Sequence, residues 1–363
     1  MRLADLIDRF EPALLQRHGD RLNGAQRGAL RAMAHCRQPD GPTLQADCRD
    51  CGSRIALPRS CGHRACPHCQ HAAGQAWLDR QRQRRLPVDY YMVTFTLPAE
   101  LRPLARQHPR AVYAALLRCA WLTLARFGRN DPKLAVELGA TAVLHTHNRR
   151  RDLHPHVHLV VPAGGVNAAG TLWRKKTSKY LFNSKNLAAV FRATLLAALR
   201  AADLTLPDTP DLWVAHCTRV GNGDSTLIYL SRYLYRGVLG ERDILSCDGD
   251  QVRFRYTDAK TRETYTRTLH GADFLWLLLQ HVLPPRFRRT REFGLLHPRR
   301  ATLLKRVQLL LHVTPKPPEP PPPRAPLRCP HCQGILILRR PSDDDLRAHL
   351  APPDAQPTGT LRM

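Results

Sequence analysis

From Met1 to about Ala34 apolar side chains recur at Leu3, Leu6, Ile7, Phe10, Leu14 and Leu15, the spacing of one or two short amphipathic helices that pack against the rest of the chain. The period changes at Tyr90. Tyr90 to Leu97, rich in aromatic and β-branched residues and closed by Pro98, predicts a strand. Gly139 to His147 predicts a second, which turns through Asn148 to Leu153 into a third, Val157 to Val161; so short a link makes these two a hairpin. Helical periods fill Pro109 to Phe127, Asn186 to Ala202, Thr226 to Val238 and Ala272 to Val282. Leu212 to Arg219 predicts a strand, and Gln251 to Tyr256 with Thr264 to Leu269 a further hairpin. Strands alternate with helices, but the short links favour antiparallel pairing. The expected fold class is α+β, an antiparallel sheet with helices packed on one face.

Between His35 and His71 the periodic pattern stops and Cys, Gly and Pro take over. Cys48 pairs with Cys51 and Cys66 with Cys69 in Cys-x-x-Cys spacing, and two such turns fill the four positions of a closed tetrahedral zinc site. Cys36 and Cys61 remain to replace one ligand or help build a second site. Ala72 to Leu86 reads as a basic helical connector. Pro315 to Pro326 is mostly proline, a stiff linker with no capacity for a core. Beyond it Cys329 and Cys332 form a third Cys-x-x-Cys, ahead of an apolar strand at Ile335 to Leu338. Two ligands are half a zinc site, so this pair either completes a site with another element or binds nothing. The residues from Ala351 read as disordered. The domain reading is therefore helices plus a small cysteine-rich module over 1–86, a catalytic domain over 87–312, the linker over 313–326 and a short segment with a tail over 327–363.

The net charge of +26 and the pI near 10.5 call for a polyanionic partner, nucleic acid first and membrane surface second. No run reaches the ~18 apolar residues of a membrane-spanning helix; the richest, Phe274 to Leu283, ends at Pro284 and Pro285. The first helix is charged throughout and lacks a signal-peptide core, so the expected location is cytoplasmic and nucleoid-associated. In that reducing compartment 11 clustered cysteines point to metal before disulfides.

The chemistry centres on LHPHVHLVVPAGG, from Leu153. On a strand His156 and His158 leave one face while Val157, Leu159 and Val161 enter the core on the other. Two imidazoles side by side need one more group from a neighbouring element to make an open metal site; the competing reading is two ordinary surface histidines. In Leu227 to Leu239, Tyr229 and Tyr233 lie one helical turn apart on a shared face, while Tyr235 points elsewhere. Aromatic packing would account for them. A phenol beside a metal that neutralises phosphate charge can also attack a phosphodiester.

Taken together, SCGHRACPHCQ, FTLP, LHTH, HPHVHLVVPAGG, LFNSKNLAAVFR, YLSRYLYR and HVLPPRFRRTREFGLL, in that order over about residues 30 to 310, resemble the rolling-circle transposases of the insertion sequence 91 family, which are HUH (His-hydrophobe-His) single-strand nucleases. The resemblance implies an HUH-nuclease-like antiparallel sheet in which His156 and His158 hold Mg²⁺ or Mn²⁺; it leaves the third ligand open, with His145 on the partner strand the first candidate and His154 the second. It implies Tyr229 and Tyr233 as nucleophiles that form a 5′-phosphotyrosine link to single-stranded DNA at element ends and later pass it to target DNA. It also implies structural Zn²⁺ in the N-terminal module, which grips the DNA end. Two other readings remain: a plasmid replication initiator or relaxase with the same chemistry, and a non-catalytic zinc-ribbon DNA-binding protein.

Overall fold

The computed structural model of the protein describes residues 1–39, 41–235, 238–258, 261–313 and 325–339. Each apolar period read from the sequence forms its element. The chain opens with α1 (Leu3–His18) and α2 (Gly24–Ala34), crosses the cysteine-rich stretch as β1 (Thr43–Cys48) and β2 (Arg54–Pro58), and leaves it as α3 (His71–Gln83). Next come β3 (Tyr90–Thr96), α4 (Arg102–Gln107), α5 (Pro109–Asn130), β4 (Gly139–His147), β5 (Leu153–Pro162) and a small pair, β6 (Gly164–Val166) with β7 (Trp173–Lys175). Then come α6 (Ser184–Arg200), β8 (Ala215–Arg219), α7 (Asp224–Tyr235), β9 (Ile244–Asp248), β10 (Gln251–Thr257), β11 (Thr264–His270) and α8 (Gly271–Leu279). Last are β12 (Thr290–Gly294), α9 (Ala301–Leu310) and β13 (Leu336–Leu338).

The chain divides into two compact units, Met1–Ala34 with Gly62–Pro318 and His35–Cys61 with Glu319–Met363. These run across the boundaries read from the sequence, because α1 packs on α8 and β13 pairs with β1. In the larger unit α1 packs on α8: the His18 ring stacks on Trp276 at 5.1 Å, and Asp273 pairs with both Arg17 and His18. In the smaller unit β13, from the far end of the chain, joins β1 and β2 in a three-stranded sheet ordered β13-β1-β2. The linker through residue 324 and the tail from Ala351 lie outside the described residues.

The larger unit is built on a five-stranded antiparallel sheet ordered β12-β4-β5-β3-β8. On one face Val157, Leu159 and Val161 of β5 join Val93 and Phe95 of β3, and α5 and α6 close over them with Leu116, Leu117, Phe191 and Leu195. Asn183 caps α6, its side chain accepting from the N–H groups of Lys185 and Asn186. Helices were expected on one face, and the structure corrects this. On the opposite face Val143 and Val160 are also apolar, and Trp77 and Leu78 of α3 with Leu227, Leu230 and Leu234 of α7 bury them. Beyond these two valines that face turns to histidine and threonine, the cover ends, and the sheet opens to a cleft. Six strands, β1, β2, β6, β7, β9 and β12, were not anticipated. β12 pairs along β4 from Thr290 opposite Val143 to Gly294 opposite Gly139, yet its residues are all half-buried, so the edge strand lacks the apolar alternation that reveals an inner one. β9 adds to the β10–β11 hairpin, with Phe254 packed on Phe274 of α8 at 5.5 Å. Among the described residues no helix is long and apolar enough to cross a membrane.

Leu159→Ala empties space on the core face and is expected to cost about 2–5 kcal/mol of unfolding free energy, read from the shift of a urea denaturation midpoint.

Candidate active site

The two-residue period of β5 brings His156 and His158 out together on the face that α7 only half covers. Register supplies their neighbours: His145 of β4 stands opposite His156, and Thr94 of β3 opposite His158. Ring centroids are 5.0 Å apart for His145 and His156, 4.4 Å for His145 and His158, and 4.9 Å for His156 and His158. One nitrogen from each of the three lies within 4.8 Å of the others. His154, the other candidate ligand, is directed elsewhere, its Nδ1 3.0 Å from the Arg102 guanidinium.

Each imidazole in this group keeps a nitrogen for a cation. His156 donates its Nδ1 proton to the backbone carbonyl of His154 at 2.7 Å, so Nε2 carries the lone pair. His158 Nδ1 is hydrogen-bonded to Thr94 Oγ1 at 2.8 Å, which fixes its ring. His145 is 1% exposed, and its Nε2 is buried with no hydrogen-bond partner. Burial disfavours the imidazolium at all three: it holds His145 well below the usual histidine range, aided by the adjacent histidines, and lowers His156 to about 4 and His158 to about 3. Three neutral nitrogen donors with an orphaned buried atom among them suit a divalent cation that keeps open positions.

Helix α7 carries both tyrosines over this group. Tyr229 is 39% exposed, with its ring 6.2 Å from that of His145 and 6.5 Å from that of His158. Tyr233 stacks on His145 at 3.3 Å, and its hydroxyl accepts from the Thr146 N–H at 2.9 Å. That N–H lies where the β4–β5 ladder shifts register, between His145 and His147. Although the Tyr233 ring is half-buried overall, its hydroxyl end is enclosed, and burial pushes the phenol's pKa up. The cleft in front of these groups has a volume of ≈ 1770 Å³, and Arg149, Arg232 and Arg242 line it along with Tyr229.

Sequence reasoning missed four residues around this group. Thr94 was legible in principle, since alternation along YYMVTFT puts it on the face opposite Val93 and Phe95. His147 and His281, whose rings lie 5.2 Å apart, and Arg289, 5.9 Å over the Tyr233 ring, come from segments with no pattern linking them. Among the expected zinc ligands, the structure brings Cys48 and Cys51 together with Cys329 and Cys332, all four thiols within 4.8 Å of one another. Cys36 and Cys61 also belong to the smaller unit, and Cys66 and Cys69 to the larger one.

Thr94→Val removes the hydroxyl that orients His158 and is expected to weaken divalent-cation binding about 10–100-fold, measured by calorimetric titration of Mn²⁺. The pH dependence of stability follows from the lowered histidine pKa values. Above about pH 6.5 these imidazoles are neutral in both folded and unfolded chains; below it the unfolded chain takes up protons that the folded one refuses. Stability of the Mg²⁺-free protein therefore falls as pH drops from about 6.5 toward the folded values of about 4 and about 3. Urea midpoints from pH 7 to pH 4 are expected to fall less steeply for His156→Gln with His158→Gln than for the wild type.

Known proteins resemble this chain in sequence over most of its length. Residues 139–302 match the family described as "Putative transposase", and residues 6–97 match "Transposase zinc-binding domain". The "Putative transposase y4qJ" of Sinorhizobium fredii is 31% identical over 319 residues, 81% of this chain and 80% of that one. The transposase for insertion sequence element IS801 of Pseudomonas savastanoi pv. phaseolicola is 31% identical over 258 residues, 66% of this chain and 62% of that protein. Two solved structures overlap more loosely. TrwC complexed with a 27-mer DNA comprising the recognition hairpin and the cleavage site is 21% identical, with a TM-score of 0.26 over 33% of this chain and 47% of that one. The metal-free conjugative relaxase TrwC in complex with OriT DNA is 17% identical, with a TM-score of 0.28 over 60% of this chain and 71% of that one. With nearly a third of its residues shared with y4qJ across four-fifths of both chains, and with a transposase domain behind a transposase zinc-binding domain, the chain belongs to the IS91 family of transposases.

Proposed function

We propose that this transposase cleaves and rejoins single-stranded DNA at the ends of its element, in the cleft where His145, His156 and His158 meet Tyr229. The observation that carries this reading is the pairing of three neutral imidazoles, one with an orphaned Nε2, with an exposed phenol on the helix above them. Mg²⁺ or Mn²⁺ held there would neutralise phosphate charge and position the phosphorus. Tyr229 Oη attacks that phosphorus, the 3′-oxygen leaves, and the 5′ side stays on the enzyme as a phosphotyrosine. One phosphodiester replaces another, so no nucleotide cofactor is consumed. The released 3′-hydroxyl, or one on target DNA, reverses the step.

The two tyrosines differ in readiness. Tyr229 has its ring in the open cleft, whereas the Tyr233 hydroxyl accepts a backbone N–H and its proton is held by burial. Tyr229 therefore acts first, and Tyr233 takes the second strand once its hydroxyl is released from Thr146. Arg149, Arg232 and Arg242 offer charge to the DNA backbone, contacts that hold the strand without reading its sequence. The zinc-binding domain grips the element's end, and the protein works in the cytoplasm on the nucleoid.

Purified protein, single-stranded oligonucleotides spanning the element ends and Mg²⁺ or Mn²⁺ provide the test. The expected product is a denaturant-resistant protein–DNA adduct that disappears with EDTA, with His156→Ala and with Tyr229→Phe, and whose first-strand yield Tyr233→Phe leaves largely intact. Wild-type adduct yield from Tyr229→Phe would overturn the choice of nucleophile. A folded wild-type protein that binds these strands but forms no adduct would favour the non-catalytic reading.

A further inference from the structure

The third Cys-x-x-Cys, near the end of the chain, plays no part in the cleft, and its backbone repeats that of the first. In the N-terminal loop the Cys48 N–H donates to the Ser53 carbonyl at 2.9 Å, the Gly52 N–H donates to the Cys48 carbonyl at 3.2 Å, and Gly52 has φ +69°. In the C-terminal loop the Cys329 N–H donates to the Gly334 carbonyl at 2.8 Å, the Gln333 N–H donates to the Cys329 carbonyl at 2.9 Å, and Gln333 has φ +62°. Position for position these are the same turn. The second adopts it with glutamine in the left-handed region, a conformation that costs a side chain about 1 kcal/mol or more and persists when surroundings impose it.

The two loops face each other. Cys48 Sγ lies 3.5 Å from Cys332 Sγ and Cys51 Sγ 3.8 Å from Cys329 Sγ, too far for disulfides and near the ~3.8 Å edge of a tetrahedron of sulfurs around zinc with Zn–S bonds of about 2.3 Å. Gly334 permits the approach, since a Cβ there would stand 3.0 Å from the Asp50 side-chain Cβ. Besides the thiols, the segments are held by three residue pairs between β1 and β13, an Arg49 N–H to Ile335 carbonyl bond of 3.2 Å, an Arg339 N–H to Gln45 carbonyl bond of 2.9 Å, an exposed ion pair of Arg339 with Asp47 at 3.4 Å, and a small apolar cluster of Ala46, Cys48, Cys329 and Leu336. A unit with so small a core needs a staple.

We propose that Cys48, Cys51, Cys329 and Cys332 bind one structural Zn²⁺ as a clasp between the two ends of the chain, so that the C-terminal Cys-x-x-Cys completes a site that the N-terminal region alone leaves half built. The four thiols lose their protons to solvent as they become thiolate ligands, and no redox step is involved. The clasp is independent of the nuclease reading.

The test is zinc content per folded chain, by atomic emission, in full-length variants. Cys48→Ser with Cys51→Ser is expected to lose one zinc, Cys329→Ser with Cys332→Ser to lose one, and the quadruple variant to lose one and not two. A second measurement uses intact cysteines and a specific protease site placed between residues 314 and 324. After cutting, the C-terminal piece is expected to co-elute with the rest of the zinc-loaded chain and to separate when a strong chelator is added. Unchanged zinc in the C-terminal pair variant, a loss of two in the quadruple variant, or release of the piece from zinc-loaded protein would each overturn the clasp.

Discussion

Because a pleated strand sends successive side chains to opposite faces, β5 serves two layers at once. Val157, Leu159 and Val161 lock the strand into a dry core beneath α5 and α6, and that anchoring holds His156 and His158 rigidly above it. The same enclosure sets their chemistry. Buried imidazoles shed their protons, so three histidines packed within 5.0 Å of one another stand as neutral donors instead of repelling cations. A one-residue slip of β5 would exchange valines for histidines on both faces and lose core and site together.

Helix α7 depends on that arrangement in turn. Its apolar stripe, Leu227, Leu230 and Leu234, seats on Val143 and Val160, the two apolar positions on the histidine face. Seated there, the i and i+4 positions Tyr229 and Tyr233 fall over His145 and His158. The two phenols are unequal: the Thr146 N–H engages the Tyr233 hydroxyl, while Tyr229 stands in the open cleft.

The smaller unit meets the problem of stability in another way. Its sheet has three short strands drawn from distant parts of the chain and little apolar surface to bury, so in the proposed clasp bonds to a shared ion would take the place of a core. Twin turns of identical hydrogen bonding present the four sulfurs, which is why a glutamine occupies a conformation usually left to glycine.

Local periodicity determined the elements: the helical spacing of α1, α5 and α6, the β4–β5 hairpin, and the division of β5 into an apolar and a histidine face. These were legible because burial on one side of a helix or strand writes its period directly into the residues. The shared face of Tyr229 and Tyr233 was legible from spacing, whereas spacing alone left His-x-His open between a metal pair and two surface histidines. Only the tertiary structure decided which distant pieces meet. Strand register set His145 with a ring nitrogen near those of both His156 and His158, whereas the His154 Nδ1 meets Arg102, and it put Thr94 behind His158. A half-buried edge position concealed β12, and the cover of α3 and α7 over Val143 and Val160 put helices on a second face. The partnership of Cys48 and Cys51 with Cys329 and Cys332 spans nearly the whole chain, and no local period records it, because a ligand pair carries the same spacing whichever second pair completes its site.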